Sequence, residues 1–225
     1  VPASARLADN LQIRLGNALK ENKEGLSKVF DGFKKYILFN VKGVNPEKFT
    51  AAVFKIEGSN AEVENQRENL RNLSKKHGGI LAGESTGKSG YLATMVIAYI
   101  RELIFTQNVL GETMETAVPW SKINQVKSEA QKLIVQLHKE NKLPGKPFFT
   151  SRISKIYHTG VCMYNTIAMS FEGIENPEDV FTSIEHKMRE NFIQNGGSIS
   201  HHHGVGKLRK DFMQDTISES SIEMV

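Results

Sequence analysis

Three consecutive histidines stand in the run Gly196-Gly197-Ser198-Ile199-Ser200-His201-His202-His203-Gly204-Val205-Gly206-Lys207. Imidazole titrates near neutral pH, so such a run can pass protons, bind an anionic ligand or hold a metal ion. On an extended strand His201 and His203 would face one way and His202 the other, leaving at most two ligands for one ion. No aspartate or glutamate lies close by in the sequence to complete a metal site, and no metal is expected. The neighbouring glycines let backbone approach a ligand closely, and Lys207, Arg209 and Lys210 add positive charge. Proton handling or ligand binding suits these neighbours best, with metal binding and a plain structural role as the alternatives.

Other residues invite the same weighing. Arg101 closes a nearly apolar stretch over 91–100, where a guanidinium needs an anionic partner. That partner is either an internal carboxylate such as Glu102 or a phosphate on a substrate. Tyr164 sits within Cys162-Met163-Tyr164-Asn165, a strand-like segment in which a tyrosine ordinarily packs. The segment Ala82-Gly83-Glu84-Ser85-Thr86-Gly87-Lys88-Ser89 fits a relaxed phosphate-binding loop, with alanine in place of the first glycine. No apolar strand ending in aspartate supplies the second magnesium contact such a loop requires, so a glycine-rich connection is the simpler expectation.

These residues need elements to position them. Periodicity predicts an amphipathic helix over 26–39, a strand over 50–57, a helix from Ser59 or Asn60 through Lys76, and a short buried strand over 80–82. A buried helix over about 90–105 and a polar helix over 121–142 follow, the latter stopped by Leu143-Pro144-Gly145. Strands are predicted over 148–154 and 160–171, a helix from Pro177 to about Gln194, and a last strand over 198–203. A pattern recurs: strand, acidic residue and glycine, helix, glycine pair, strand. It occurs once around Glu57-Gly58 and His77-Gly78-Gly79, and again around Glu172-Gly173 and Gly196-Gly197. Each glycine pair offers a left-handed helix cap and then a free turn. The expected fold class is α+β: an antiparallel sheet built from two strand-helix-strand units, a ferredoxin-like pair, with helices on one face.

Composition bounds the rest. The 225 residues are 39% hydrophobic and 24% charged, as in a globular chain with a sizeable core. The net charge of +4 is too small to mark a nucleic-acid binder, and no nucleic-acid partner is expected. A single cysteine, Cys162, excludes an internal disulfide and any zinc site built on several cysteines. The apolar run over 91–100 is about half of the ~20 residues a membrane-spanning helix needs. The chain opens on Val1-Pro2-Ala3-Ser4-Ala5-Arg6 without methionine or signal peptide, as a piece of a longer protein would.

Taken together, several segments resemble the alkyldihydroxyacetonephosphate synthases of the vanillyl-alcohol-oxidase-like flavoprotein superfamily. They are Pro2-Ala3-Ser4-Ala5-Arg6-Leu7, the Gly90-Tyr91-Leu92 to Tyr99-Ile100-Arg101 helix, Leu110-Gly111-Glu112-Thr113 with Pro119-Trp120, residues 157–164 and, most specifically, the glycine-histidine run over 196–207. The resemblance implies a peroxisomal FAD enzyme of ether-lipid synthesis, supplying plasmalogen precursors. It would exchange the acyl chain of acyl-dihydroxyacetone phosphate for a long-chain fatty alcohol through a flavin N5 adduct, without net redox change. It further implies Tyr164 as proton donor and acceptor, Arg101 as a substrate-binding residue, Arg6 as needed for activity, and His201, His202 and His203 as an essential run. The peroxisomal membrane surface and a homo-oligomer follow as expected partners.

The same resemblance places the main FAD site outside this chain, and with it any targeting signal. Residues 1–48 become a helical lead-in from a missing FAD-binding domain, 49–200 a substrate or cap domain of the flavoenzyme, and 201–225 a histidine-run loop with a truncated C-terminal helical segment. Apolar side chains of the Tyr91 helix and the sheet would line a tunnel for the lipid tail, and the piece alone would be inactive. Three alternatives stand beside this expectation: a FAD-linked hydroxy-acid oxidase or dehydrogenase of the same superfamily, a nucleotide-binding module at Ala82 to Ser89, and a lipid-phosphate binder without activity.

Overall fold

A computed structural model describes residues 1–18, 37–88 and 100–224, and the chain divides into two units, Val1–Ala98 and Tyr99–Val225. Most of the helices expected over 26–39 and 90–105 lies outside the described residues.

In the first unit β1 (Ser4–Ala8) pairs antiparallel with β2 (Ala51–Lys55), which sets Arg6 opposite Val53. The buried Asp9 opens α1 (Asn10–Ala18), its carboxylate accepting the Gln12 backbone N–H at 2.9 Å. The expected capped helix is α2 (Asn60–Lys76). Ser59 Oγ accepts from the Glu62 N–H at 3.4 Å, and the Glu62 carboxylate accepts from the Ser59 N–H at 2.8 Å, a reciprocal capping box. Gly78, at φ +71°, turns the chain out of the helix as the glycine pair predicts. The strand expected over 80–82 does not form, and Ile80 and Leu81 are 46% and 53% exposed. Three apolar residues carry no period, and Gly83 at φ +84° bends the chain immediately after them.

The second unit holds α3 (Ile100–Phe105), β3 (Val109–Pro119), α4 (Ile123–Glu140), β4 (Phe148–Ile156), β5 (Gly160–Ser170) and α5 (Pro177–Gln194). β5 lies between β4 and β3 and is antiparallel to both. β3 has no counterpart among the sequence expectations. Its apolar positions are interrupted by Glu112, Glu115, Thr113 and Thr116, and the alternation is lost in them.

An α+β fold with an antiparallel sheet is therefore present. Of its strand-helix-strand units the second falls where the glycine pairs suggest, and only the first lies elsewhere. The first is β3-α4-β4; the second starts with β5-α5 and continues into 198–203. That last segment is not a strand. Ser198 donates its N–H to the Ala117 carbonyl at 3.0 Å, yet its Oγ takes the Ala117 N–H at 2.9 Å. A side chain thus occupies the donor that a fourth strand's carbonyl would have used, and the ladder stops there.

Both long helices cover one face of this sheet. Val126, Ala130, Ile134 and Leu137 of α4 and Ile184, Met188 and Phe192 of α5 pack against Met114, Val118, Phe149, Val161, Met163 and Ile167. These side chains fill the helix-facing side of the sheet. The residues over 91–99 expected to line a lipid tunnel lie outside the described residues.

Candidate active site

Strand register builds the site on the opposite face. Tyr164 of β5 pairs with Glu115 of β3 on one side and with Arg152 of β4 on the other. Directly paired residues project to the same face, and successive residues alternate. Met114 and Met163 therefore enter the core while Glu115, Tyr164 and Arg152 form a row on the face opposite the two long helices. The Arg152 guanidinium carbon stands 4.3 Å from the centroid of the Tyr164 ring, a cation–π contact. Thr113, two residues along on the same face, has its Oγ1 at 3.1 Å from the Tyr164 phenol oxygen.

The histidine run closes over this row. Glu115 is buried, and its carboxylate accepts from Ser200 Oγ at 2.8 Å, from the His202 and His203 backbone N–H groups at 3.2 and 2.9 Å, and from that of His201. Burial pushes the Glu115 carboxyl up, but the donors from His203, Ser200, His202 and His201 outweigh it and hold it below the usual carboxylate range. The imidazoles then meet Tyr164. His202 stacks on its ring at 6.0 Å and 26°, and His203 meets it edge-on at 5.6 Å.

A hydrogen-bonded chain leads away from this contact. His202 Nδ1 lies 2.9 Å from His201 Nδ1, and His201 Nε2 lies 2.8 Å from the Tyr157 phenol oxygen. Two Nδ1 atoms at that distance share one proton, so the histidines cannot both be protonated there. Burial lowers the pKa of His201, reinforced by His202 and Lys155 and opposed by Glu115. His202 is lowered by burial, with His203 and Lys155 acting against Glu115. Neutral imidazoles near pH 7 are the result, and a neutral imidazole is a base.

The carboxylate that the local sequence lacks is thus supplied from β3, 86 residues away from His201. One ligand atom each from Glu115, Cys162, His201 and His202 lies within 4.8 Å of the others, close enough together to surround an ion. Cys162 is buried, and burial pushes its thiol up. The Glu115 oxygens are already engaged by Ser200 and the histidine amides. The cluster is organised as a hydrogen-bonded group.

Of the residues singled out from sequence, Tyr164, His201, His202 and His203 come together. Arg6 belongs to the first unit, on β1, and the Arg101 side chain lies outside the described residues. Lys207 and Lys210 are exposed, whereas Arg209 is buried near the Glu185–Arg189 ion pair of α5 and serves the interior. Residues 84–88 form a helical turn after an exposed segment, without the buried strand that would launch a phosphate-binding loop; Ser89 lies outside the described residues. Sequence reasoning missed Glu115 and Arg152, and it gave no role to Tyr157 and Thr113, which lie within segments carrying the family resemblance. Of the two missed, only Glu115 carries a signal, as an acidic residue in a segment whose neighbours Met114 and Thr116 are candidates for burial.

The chain belongs to the family of FAD-linked oxidase C-terminal domains, which matches residues 1–225. Curated relatives bear the name alkyldihydroxyacetonephosphate synthase. That of Caenorhabditis elegans is 35% identical over 216 residues, 96% of this chain and 36% of the relative. That of Dictyostelium discoideum is 26% identical over 92% of this chain and 33% of its own length. The chain thus spans about a third of the length of these relatives. A solved alkyldihydroxyacetonephosphate synthase superposes with a TM-score of 0.69 over 89% of this chain and 36% of that one, at 21% identity, a likeness of fold. The resemblance drawn from the motifs is borne out by these names.

Proposed function

We propose that this chain is the proton-handling part of a FAD-dependent alkylglycerone-phosphate synthase, exchanging the acyl chain of acyl-dihydroxyacetone phosphate for a long-chain fatty alcohol. The observation that carries the reading is the placement of the Tyr164 phenol against His202 and His203. A ketone phosphate has an acidic hydrogen on the carbon beside its carbonyl, and exchange at that carbon requires the proton to leave and return. Tyr164 and a neutral imidazole, in contact, suit both directions of transfer. Arg152 packs over the Tyr164 ring and helps to fix its place. The names of the curated relatives support the substrate class.

The described residues fit one end of a FAD molecule. The stacked Tyr164 and His202 rings offer a planar, polar platform beside which a flavin ring can lie. A glycine-rich strand-to-helix turn for the pyrophosphate is not found among the described residues, so the remainder of the chain's relatives' length is where that group would be held. When bound, the flavin supplies an electron-poor ring able to carry the substrate carbon between departing acid and entering alcohol. Tyr164 and the histidines keep their own task, which is to hold and move the proton. Arg6 and Arg101 are proposed to meet the substrate, and the substrate phosphate is the group a guanidinium recognises best.

Tyr164→Phe in the full-length protein tests this. Exchange should be lost while flavin absorbance stays, and retained exchange would remove Tyr164 from the reaction. Reduction of an electron acceptor by a hydroxy acid would favour an oxidase instead. A peroxisomal location, substrates drawn from a membrane surface, a homo-oligomeric state and inactivity of the isolated piece complete the proposal. Fractionation, vesicle binding, sedimentation and assay of the piece would check each in turn.

A further inference from the structure

We infer that Glu115 is the positioning residue of this site: its buried carboxylate fixes the backbone of all three histidines and so sets where their rings stand against Tyr164. The inference rests on the functional reading above and adds a residue to it.

The loop that carries the histidines has neither helix nor strand to define its course. Its backbone is held at two places on β3. At the first, Ser198 exchanges hydrogen bonds with Ala117 and Thr116 Oγ1 donates to the Ser198 carbonyl at 2.8 Å. At the second, three successive backbone N–H groups, of His201, His202 and His203, converge on the Glu115 carboxylate. Successive amides pointing inward form a concave anion site, here filled by the protein's own carboxylate. With the amides on Glu115, the rings of the three histidines reach Tyr157 and Tyr164 while staying near the carboxylate, His203 Nδ1 at 3.7 Å from Glu115 Oε1.

Glu115 is also the direct register partner of Tyr164. One strand pair therefore fixes both the phenol and the anchor of the imidazoles, and the two cannot drift apart without breaking the β3–β5 ladder. A neutral group could not replace the carboxylate. The Gln amide has the same shape, but its NH2 would point at donors, and one of the converging N–H groups would lose its acceptor.

The decisive measurement is Glu115→Gln in the full-length holoenzyme. We expect kcat to fall about 100-fold, as for reacting groups displaced by about 1 Å, with KM for the acyl substrate and flavin content unchanged. Glu115→Asp, which keeps the charge, should recover part of the loss. Added to a variant with all three histidines replaced by alanine, Glu115→Gln should cost nothing more, because the carboxylate acts through them. Backbone amide exchange at 201–203 should accelerate in Glu115→Gln while that of α4 and α5 holds.

Unchanged kcat in Glu115→Gln, or a loss that adds to that of the histidine variant, would overturn the inference. So would a parallel collapse of kcat, KM and flavin content, which marks a general fold defect. Should Glu115→Gln not fold, the same readings on Glu115→Asp decide the matter. Exchange activity retained in Tyr164→Phe, with amide protection at 201–203 lost in Glu115→Gln, would sink the functional reading and leave Glu115 a loop anchor only. Activity lost in Tyr164→Phe, with rate and protection intact in Glu115→Gln, would sink this inference alone.

Discussion

The phenol oxygen of Tyr157 and Nε2 of His201 are 2.8 Å apart, so the turn joining β4 to β5 is tied directly to the histidine loop. Tyr157 is held in turn, its carbonyl accepting from Trp120 Nε1 at 3.0 Å and its N–H donating to the Gly160 carbonyl at 2.8 Å. The phenol selects one arrangement of the His201 ring. Tyr157→Phe keeps the ring contact and removes only this bond, worth about 1 kcal/mol, or roughly fivefold in rate. A fivefold lower kcat with unchanged flavin content is expected. An unaltered kcat would show that the His201 ring needs no such partner.

The lowered pKa values of His201 and His202 set a direction for the pH profile. A base must be unprotonated, so kcat/KM of the full-length protein should be full above the histidine values and decline as pH falls through them. Burial is the first cause for both, and Lys155 contributes by disfavouring a second positive charge. The acid limb should therefore lie below the ordinary imidazole value of about 6.5. Lys155→Gln should move that limb upward in pH. A limb that stays in place would mean that Lys155 is screened from the histidines.

Glu115 gives stability a dependence of the same sign, at lower pH. Its carboxyl is held below the usual range in the folded protein, so the unfolded chain takes up the proton first as pH falls. The contribution is present in full above the ordinary carboxyl value of about 4.3 and is lost as pH drops through the folded-state value. Thermal unfolding of the wild type should fall more steeply than that of Glu115→Gln between about pH 5 and pH 3, closing the gap between them. Parallel curves would refute a charged Glu115.

Gly160 begins β5 where it presses on β3. A Cβ there would stand 2.2 Å from the Val118 carbonyl oxygen and 3.0 Å from the Pro119 Cα, both backbone atoms that cannot step aside. Gly160→Ala should cost about 3 kcal/mol or more by forcing the strands apart. Gly16, in α1, meets nothing within 4 Å, and Gly16→Ala should stabilise by about 0.5–1 kcal/mol. Equal melting temperatures for the two variants would contradict the close approach at Gly160.

Several elements could be placed from local signals because their causes are local. The capping box of Ser59 and Glu62, the proline opening α5 and the left-handed turns at Gly78 and Gly196 are each decided within a few residues. The apolar spacing of α4 and the β-branched content of β5 work in the same way. The strands expected over 80–82 and 198–203 failed for a related reason: a short apolar or polar run has no period, and its outcome depends on what lies beside it. Ser198 stays out of the ladder because its own hydroxyl reaches the Ala117 N–H, a choice visible only once β3 is adjacent.

The site divides along the same line. Residue chemistry alone determined that the histidine run and Tyr164 were candidates, since imidazole and phenol are the groups that exchange protons near neutrality. Tertiary structure alone decided that they touch, and that Glu115 is the residue beneath them. Glu115 lies on a strand without clear alternation, and its meaning comes from amides 86 to 88 residues away. A buried carboxylate is intelligible only by its donors, and a hydrogen bond depends on distance in space, which spacing along the chain does not record.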